Sequence, residues 1–94
     1  MTVSARHVHV SGRVQGVAFR WSTRTQADRL GVRGWVRNRA DGRVETWIQG
    51  DPGAVDAMLD WLDHGPTMAR VDEVAVQTVK PVELHEFEVR DTAR

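Results

Sequence analysis

Val32-Arg33-Gly34-Trp35-Val36-Arg37-Asn38-Arg39, then Ala40-Asp41-Gly42, then Arg43-Val44-Glu45-Thr46-Trp47-Ile48-Gln49, set two β-rich runs on either side of an Asp-Gly pair. Asp-Gly is strong hairpin chemistry, because glycine accepts the positive φ that a tight turn imposes. A helical pattern flanks this hairpin on each side. Upstream, Phe19, Thr23, Ala27 and Leu30 share one side of a helix beginning near Phe19, and Gly31 is placed to end it in a left-handed cap. Downstream, Asp51 caps a second helix with Pro52 at its first position; Val55, Met58, Leu59 and Leu62 form its apolar stripe before Gly65-Pro66 stops it. Further out, Val8 and Val10, with Val14 beyond a glycine, alternate with His7, His9 and Ser11, the period of a strand with one buried face. Val71, Val74, Val76 and Val79 repeat that alternation with one phase slip, and Leu84, Phe87 and Val89 mark a last short strand or sheet-edge segment. The order β-α-β-β-α-β plus a tail predicts an α+β, ferredoxin-like split β-α-β fold, with an antiparallel sheet and two helices packed on one face. That architecture hosts enzymes, RNA readers, metal chaperones and ligand sensors, so function has to come from the site residues.

The chain has 94 residues, 40% of them hydrophobic, enough for one small domain with a single core. It has no cysteine, which excludes disulfides, thiolate chemistry and cysteine zinc sites and is compatible with a reducing compartment. No apolar stretch is long enough to span a bilayer, and Met1 to Val10 lacks the pattern of a signal peptide. An intact, soluble cytoplasmic protein without a membrane partner is the expectation. Formal net charge is zero, yet residues 1–50 hold nine arginines against Asp28, Asp41 and Glu45, while residues 51–94 hold four cations against ten carboxylates. Twelve of the thirteen cations are arginine; bidentate oxyanion recognition and a bias in genome composition explain this equally well.

Gly12-Arg13-Val14-Gln15-Gly16-Val17-Ala18-Phe19-Arg20 connects the first strand to the first helix. It has the ingredients of an oxyanion cradle: Gly16 lets backbone N–H groups converge, the helix adds the positive end of its macrodipole, and Arg20 adds a planar fork of donors. Such a turn is common as a plain β-to-α connection, so the segment alone is weak evidence. His7 and His9 share one side of the first strand, but no third or fourth ligand stands at a telling spacing, so no metal and no cofactor are expected. His64 falls in the expected last turn of the second helix, where a cation is favourable, and His85 has no partner readable from sequence. Trp21, Trp35, Trp47 and Trp61 are expected in core or half-buried packing, and Glu83, Glu86, Glu88 and Asp91 along a solvated edge.

Two segments carry a resemblance to the acylphosphatase family. The first is Val10-Ser11-Gly12-Arg13-Val14-Gln15-Gly16-Val17-Ala18-Phe19-Arg20; the second is Gly34-Trp35-Val36-Arg37-Asn38 with Gly42, Val44 and Gly50 at fixed spacing. The similarity continues through Gly65-Pro66, Ala69-Arg70-Val71 and Phe87-Glu88-Val89-Arg90, with Thr67 standing where a second proline is common. It implies a single acylphosphatase-like domain over residues 1–94 that hydrolyses acyl phosphates. It also implies a phosphate-binding loop of Gln15, Gly16, Val17, Ala18, Phe19 and Arg20, with Arg20 the phosphate ligand and Asn38 the holder of the attacking water. The chemistry is consistent with so small a set of residues. An acyl phosphate leaves as a carboxylate, whose conjugate acid has a pKa of about 4, so no general acid is needed; charge cancellation and an in-line water suffice. Asparagine cannot act as a base, so a substrate phosphoryl oxygen would accept the proton. Two rivals stay open: a non-catalytic phosphate or carbamoyl-phosphate sensor, which would keep Arg20 and could dispense with Asn38, and a ferredoxin-like nucleic-acid-binding module, favoured by the basic first half and Trp47. A monomer is expected, since no patterned apolar surface remains once both helix stripes are spent on the sheet; the resemblance implies a small acyl phosphate as substrate, and no nucleic-acid partner is expected.

Overall fold

The computed structural model describes residues 2–94, so Met1 of the expected domain lies outside the described residues. Seven elements follow one another: β1 (Ser4–Arg13), α1 (Phe19–Leu30), β2 (Arg33–Asn38), β3 (Val44–Gly50), α2 (Pro52–Leu62), β4 (Arg70–Thr78) and β5 (Phe87–Val89). They form one sheet in the order β4-β1-β3-β2-β5, with β1 and β3 at its centre. The pairs β1–β3, β1–β4 and β2–β3 are antiparallel. The tail adds a strand of the opposite sense: β5 runs parallel to β2, setting Phe87 beside Gly34 and Val89 beside Val36. The sheet is therefore mixed, a ferredoxin-like antiparallel core with a parallel edge.

Register places Val10 opposite Val44 and Val8 opposite Thr46. Val8, Val10, Val36, Val44 and Ile48 accordingly share one face, where they pack in a single core with Phe19 and Ala27 of α1 and Val55, Met58 and Leu62 of α2. Both helices lie on that face, as the stripes of the sequence require. Local signals set the helix ends. Gly31 ends α1 at φ 74°, and the Asp51 carboxylate caps α2 by accepting from the Gly53 N–H at 3.1 Å. α2 stops at Leu62, so His64 stands beyond the helix, its Nδ1 3.3 Å from the Asp60 carbonyl, and does not occupy the last turn. The phase slip along β4 is a bulge: Ser11 pairs with Glu73 and Gly12 with Val71, leaving Asp72 as the extra residue. Gly34 is required by close approach, since a Cβ there would sit 1.8 Å from the Trp47 carbonyl oxygen.

Candidate active site

Between β1 and α1 the chain is held at both ends by buried side chains, Val14 and Phe19, which are 1% and 2% exposed. Phe19 packs on Trp61 with ring centroids 5.8 Å apart. The intervening backbone takes two left-handed residues, Gly16 at φ 73° and Ala18 at φ 60°, the latter alone among the described non-glycine residues. Alternation of this kind turns successive N–H groups toward a common side, the geometry of an anion nest. Ala18 is also the N-cap of α1, where it provides no side-chain hydrogen bond, and no acidic residue stands in the first turn. The N–H groups of that turn are thus left to a ligand or solvent, at the positive end of the helix.

Arg20, the second residue of α1, is half-buried. The arginine ion pairs of the described residues are made by Arg24, Arg37, Arg39, Arg43, Arg70 and Arg90, none by Arg20. Among the described residues its five donors have no partner, beside a helix end without a side-chain cap.

Asn38 closes β2 opposite Val44 and has the strand phase of Val36, so its side chain belongs to the helix-covered face. Its Oδ1 is buried and has no hydrogen-bond partner among the described residues. An orphaned buried acceptor costs about 1–3 kcal/mol, a deficit removed when the amide rotates so that Oδ1 meets a bound water or hydroxyl. The backbone around it is firmly fixed: the Asn38 carbonyl accepts from the Ala93 N–H at 2.9 Å, and the Arg39 N–H donates to the Arg43 carbonyl at 2.8 Å. In the turn, Asp41 Oδ2 accepts from Arg43 Nη2 at 2.8 Å and Oδ1 from the Arg43 N–H at 3.1 Å. Those bonds hold the Asp41 carboxyl well below the usual carboxylate range.

Gln15 joins the two halves. Its Nε2 donates to the Arg39 carbonyl at 2.8 Å and to the Arg43 carbonyl at 2.9 Å. The first residue of the expected phosphate loop therefore clasps the mouth of the hairpin one position beyond Asn38. Its side chain is committed to that clasp, leaving only its backbone for an anion. Sequence offered no sign of this, because the bonds go to carbonyls 24 and 28 residues away. Two surface clefts of about 300 and 350 Å³, the first flanked by Arg24 and Phe87 and the second by Trp21 and Trp61, include neither Arg20 nor Asn38. The expected phosphate loop offers backbone amides at the start of α1 and one guanidinium.

A protein-family model described as Acylphosphatase matches residues 6–89. An acylphosphatase of Anaeromyxobacter dehalogenans is 55% identical over 89 residues, 94% of this chain and 95% of that protein. An acylphosphatase of Thermococcus kodakarensis is 51% identical over 83 residues, 88% and 91% of the two chains. Among solved structures, an acylphosphatase from Coxiella burnetii superposes with a TM-score of 0.91 at 38% identity, covering 94% of this chain and 93% of that one. Sequence likeness over nearly the whole length and backbone likeness over the same span agree, and the chain belongs to the acylphosphatase family.

Proposed function

We propose that this acylphosphatase hydrolyses acyl phosphates to a carboxylate and inorganic phosphate, with the amides of the Gln15–Arg20 loop and Arg20 holding the phosphoryl group and Asn38 holding the attacking water. The orphaned Oδ1 of Asn38, buried and lacking a donor among the described residues, is the observation that carries the reading. Phosphoryl oxygens bind where donors are spare, at the uncapped start of α1 and the unpaired Arg20 guanidinium. A water donating one hydrogen to Asn38 Oδ1 keeps its lone pairs free to point at phosphorus. As the P–O bond to the acyl group breaks, negative charge moves to a carboxylate that needs no proton. The water's proton passes to a phosphoryl oxygen, since no residue in the set is a base near neutral pH. Positioning and charge cancellation supply the rate.

In this reading the chain acts as a cytoplasmic monomer on a small-molecule acyl phosphate and needs no nucleic-acid partner. The test is hydrolysis of benzoyl phosphate in the presence of a chelator by wild type and Asn38→Ala. Wild type is expected to turn over rapidly, and Asn38→Ala to lose at least about 100-fold in kcat while inorganic phosphate still protects it against unfolding. Equal loss of turnover and phosphate binding would make Asn38 a binding residue. Phosphate protection without turnover in wild type would favour the sensor reading.

A further inference from the structure

On the sheet face away from the helices, His7 and His9 of β1 stand beside Glu45 of β3, which the antiparallel register sets directly opposite His9. The third ligand that sequence spacing did not offer is thus supplied by the neighbouring strand. His7 Nε2 lies 2.6 Å and His9 Nε2 3.6 Å from the same carboxylate oxygen, Glu45 Oε2. One ligand atom from each of the three residues fits within a span of 4.8 Å. We propose that His7, His9 and Glu45 form a binding site for a borderline divalent transition cation, represented by Zn²⁺, apart from the phosphate cradle and taking no part in hydrolysis.

Nitrogen and oxygen ligands 2.0–2.2 Å from Zn²⁺ lie about 3.3 Å from one another around a tetrahedral ion. The two separations at Oε2, 2.6 and 3.6 Å, fall on either side of that value and no pair of the three ligand atoms is more than 4.8 Å apart, so movements of about 1 Å by each side chain admit the cation. It replaces the proton that His7 and Glu45 share. The carboxylate is already oriented for the task. Its other oxygen, Oε1, accepts from Arg37 Nε at 2.7 Å and Arg39 Nη1 at 3.1 Å, leaving Oε2 turned to the imidazoles, a supporting arrangement of the kind that fixes metal ligands. Glu45 is 3% exposed, and the Trp35 and Trp47 rings wall His7 at 5.8 and 5.9 Å. The histidine side chains remain 24% and 23% exposed, which leaves the outer coordination position to solvent. Two imidazoles and one carboxylate suit Zn²⁺, Ni²⁺ or Cu²⁺ and disfavour the oxygen-seeking Mg²⁺ and Ca²⁺. The two guanidiniums on Oε1 oppose any cation, so affinity falls short of that of a structural zinc site.

The test is calorimetric titration of chelator-stripped protein with ZnCl₂ in phosphate-free buffer, alongside imidazole ¹⁵N spectra of the wild type. One ion per chain is expected, with Zn²⁺ shifting the resonances of His7 and His9 and leaving His64 and His85 in place. His9→Asn and His7→Gln should each weaken binding by at least about tenfold, whereas His85→Gln should not. The spectra keep the proposal falsifiable if a variant fails to fold. No saturable binding to wild type below about 1 mM, binding undiminished in the folded variants, or Mg²⁺ bound as tightly as Zn²⁺ would each overturn it.

Discussion

Ala18 holds φ 60° and ψ 25° at the start of α1, a left-handed conformation that costs an L-residue about 1–2 kcal/mol. Val14 and Phe19, both buried, pin the chain on either side and keep the residue there. Glycine carries no such penalty but loses more backbone entropy on folding. Ala18→Gly should therefore raise stability by up to about 1 kcal/mol, read from urea unfolding, and it should soften the cradle, raising KM. A variant less stable than wild type would show that the loop is not strained at Ala18. Two residues on, Arg20 faces a different demand. A guanidinium presents paired donors in a fixed plane that matches two phosphoryl oxygens, whereas an ammonium keeps the charge without the fork. Arg20→Lys is expected to lose about 2–4 kcal/mol of transition-state stabilisation, a fall of roughly 30- to 1000-fold in kcat/KM. Near-normal activity would mean that a point charge is enough.

Elements meet at this site through one side chain. The β1–α1 connection and the β2–β3 hairpin are separate local structures, and Gln15 Nε2 fastens them by its bonds to the Arg39 and Arg43 carbonyls. Only a donor can make that clasp. Gln15→Glu is nearly isosteric yet offers acceptor oxygens to two carbonyls, so it should separate the loop from Asn38, lowering kcat about tenfold or more while phosphate binding changes little. Wild-type kcat in that variant would reduce the clasp to a packing contact. The elements themselves were legible: the Asp-Gly turn, the Asp51-Pro52 helix start and Gly31 are each local signals lying within a few residues of the structure they specify. The pairing of elements was less so. β5 has three residues, too few for a period to announce its parallel register with β2. The sequence pattern extends α2 to His64, whereas the helix ends at Leu62 with Asp63 as its cap. Of the candidate site, the loop and Asn38 follow from the resemblance that the two motifs carry. The clasp by Gln15 depends on how two loops meet, and the approach of Glu45 to His9 on which residues two remote strands set side by side.

At the scale of the whole molecule, the two central strands serve both faces of the sheet. Toward the helices they present valines and Ile48 to the core; away from them, β1 and β3 bring the histidines to Glu45, which also ties in Arg37 of β2 and Arg39 beyond it. One nearly buried carboxylate thus bonds groups from three chain segments, and its ionisation is linked to folding. Burial alone would raise the Glu45 pKa, but hydrogen bonds from Arg37 and His7 and the Arg37 charge outweigh it and bring the pKa down to about 2, from an ordinary 4.5. A carboxylate with a depressed folded pKa stabilises the native state fully above its unfolded pKa and loses that contribution as pH falls through the folded one. The Glu45 contribution, of order 3 kcal/mol, should therefore be intact at pH 6 and disappear between about pH 4.5 and pH 2. His9 acts on the same side: burial and the neighbouring His7 lower its pKa, so its protonation in acid also favours unfolding. Urea unfolding of wild type and Glu45→Gln in chelator, from pH 6 to pH 2.5, should show the variant less stable at pH 6, because Arg37 and Arg39 lose their counter-charge, and less steep in its acid dependence. Parallel acid limbs for the two proteins would place the acid sensitivity of the fold elsewhere than Glu45.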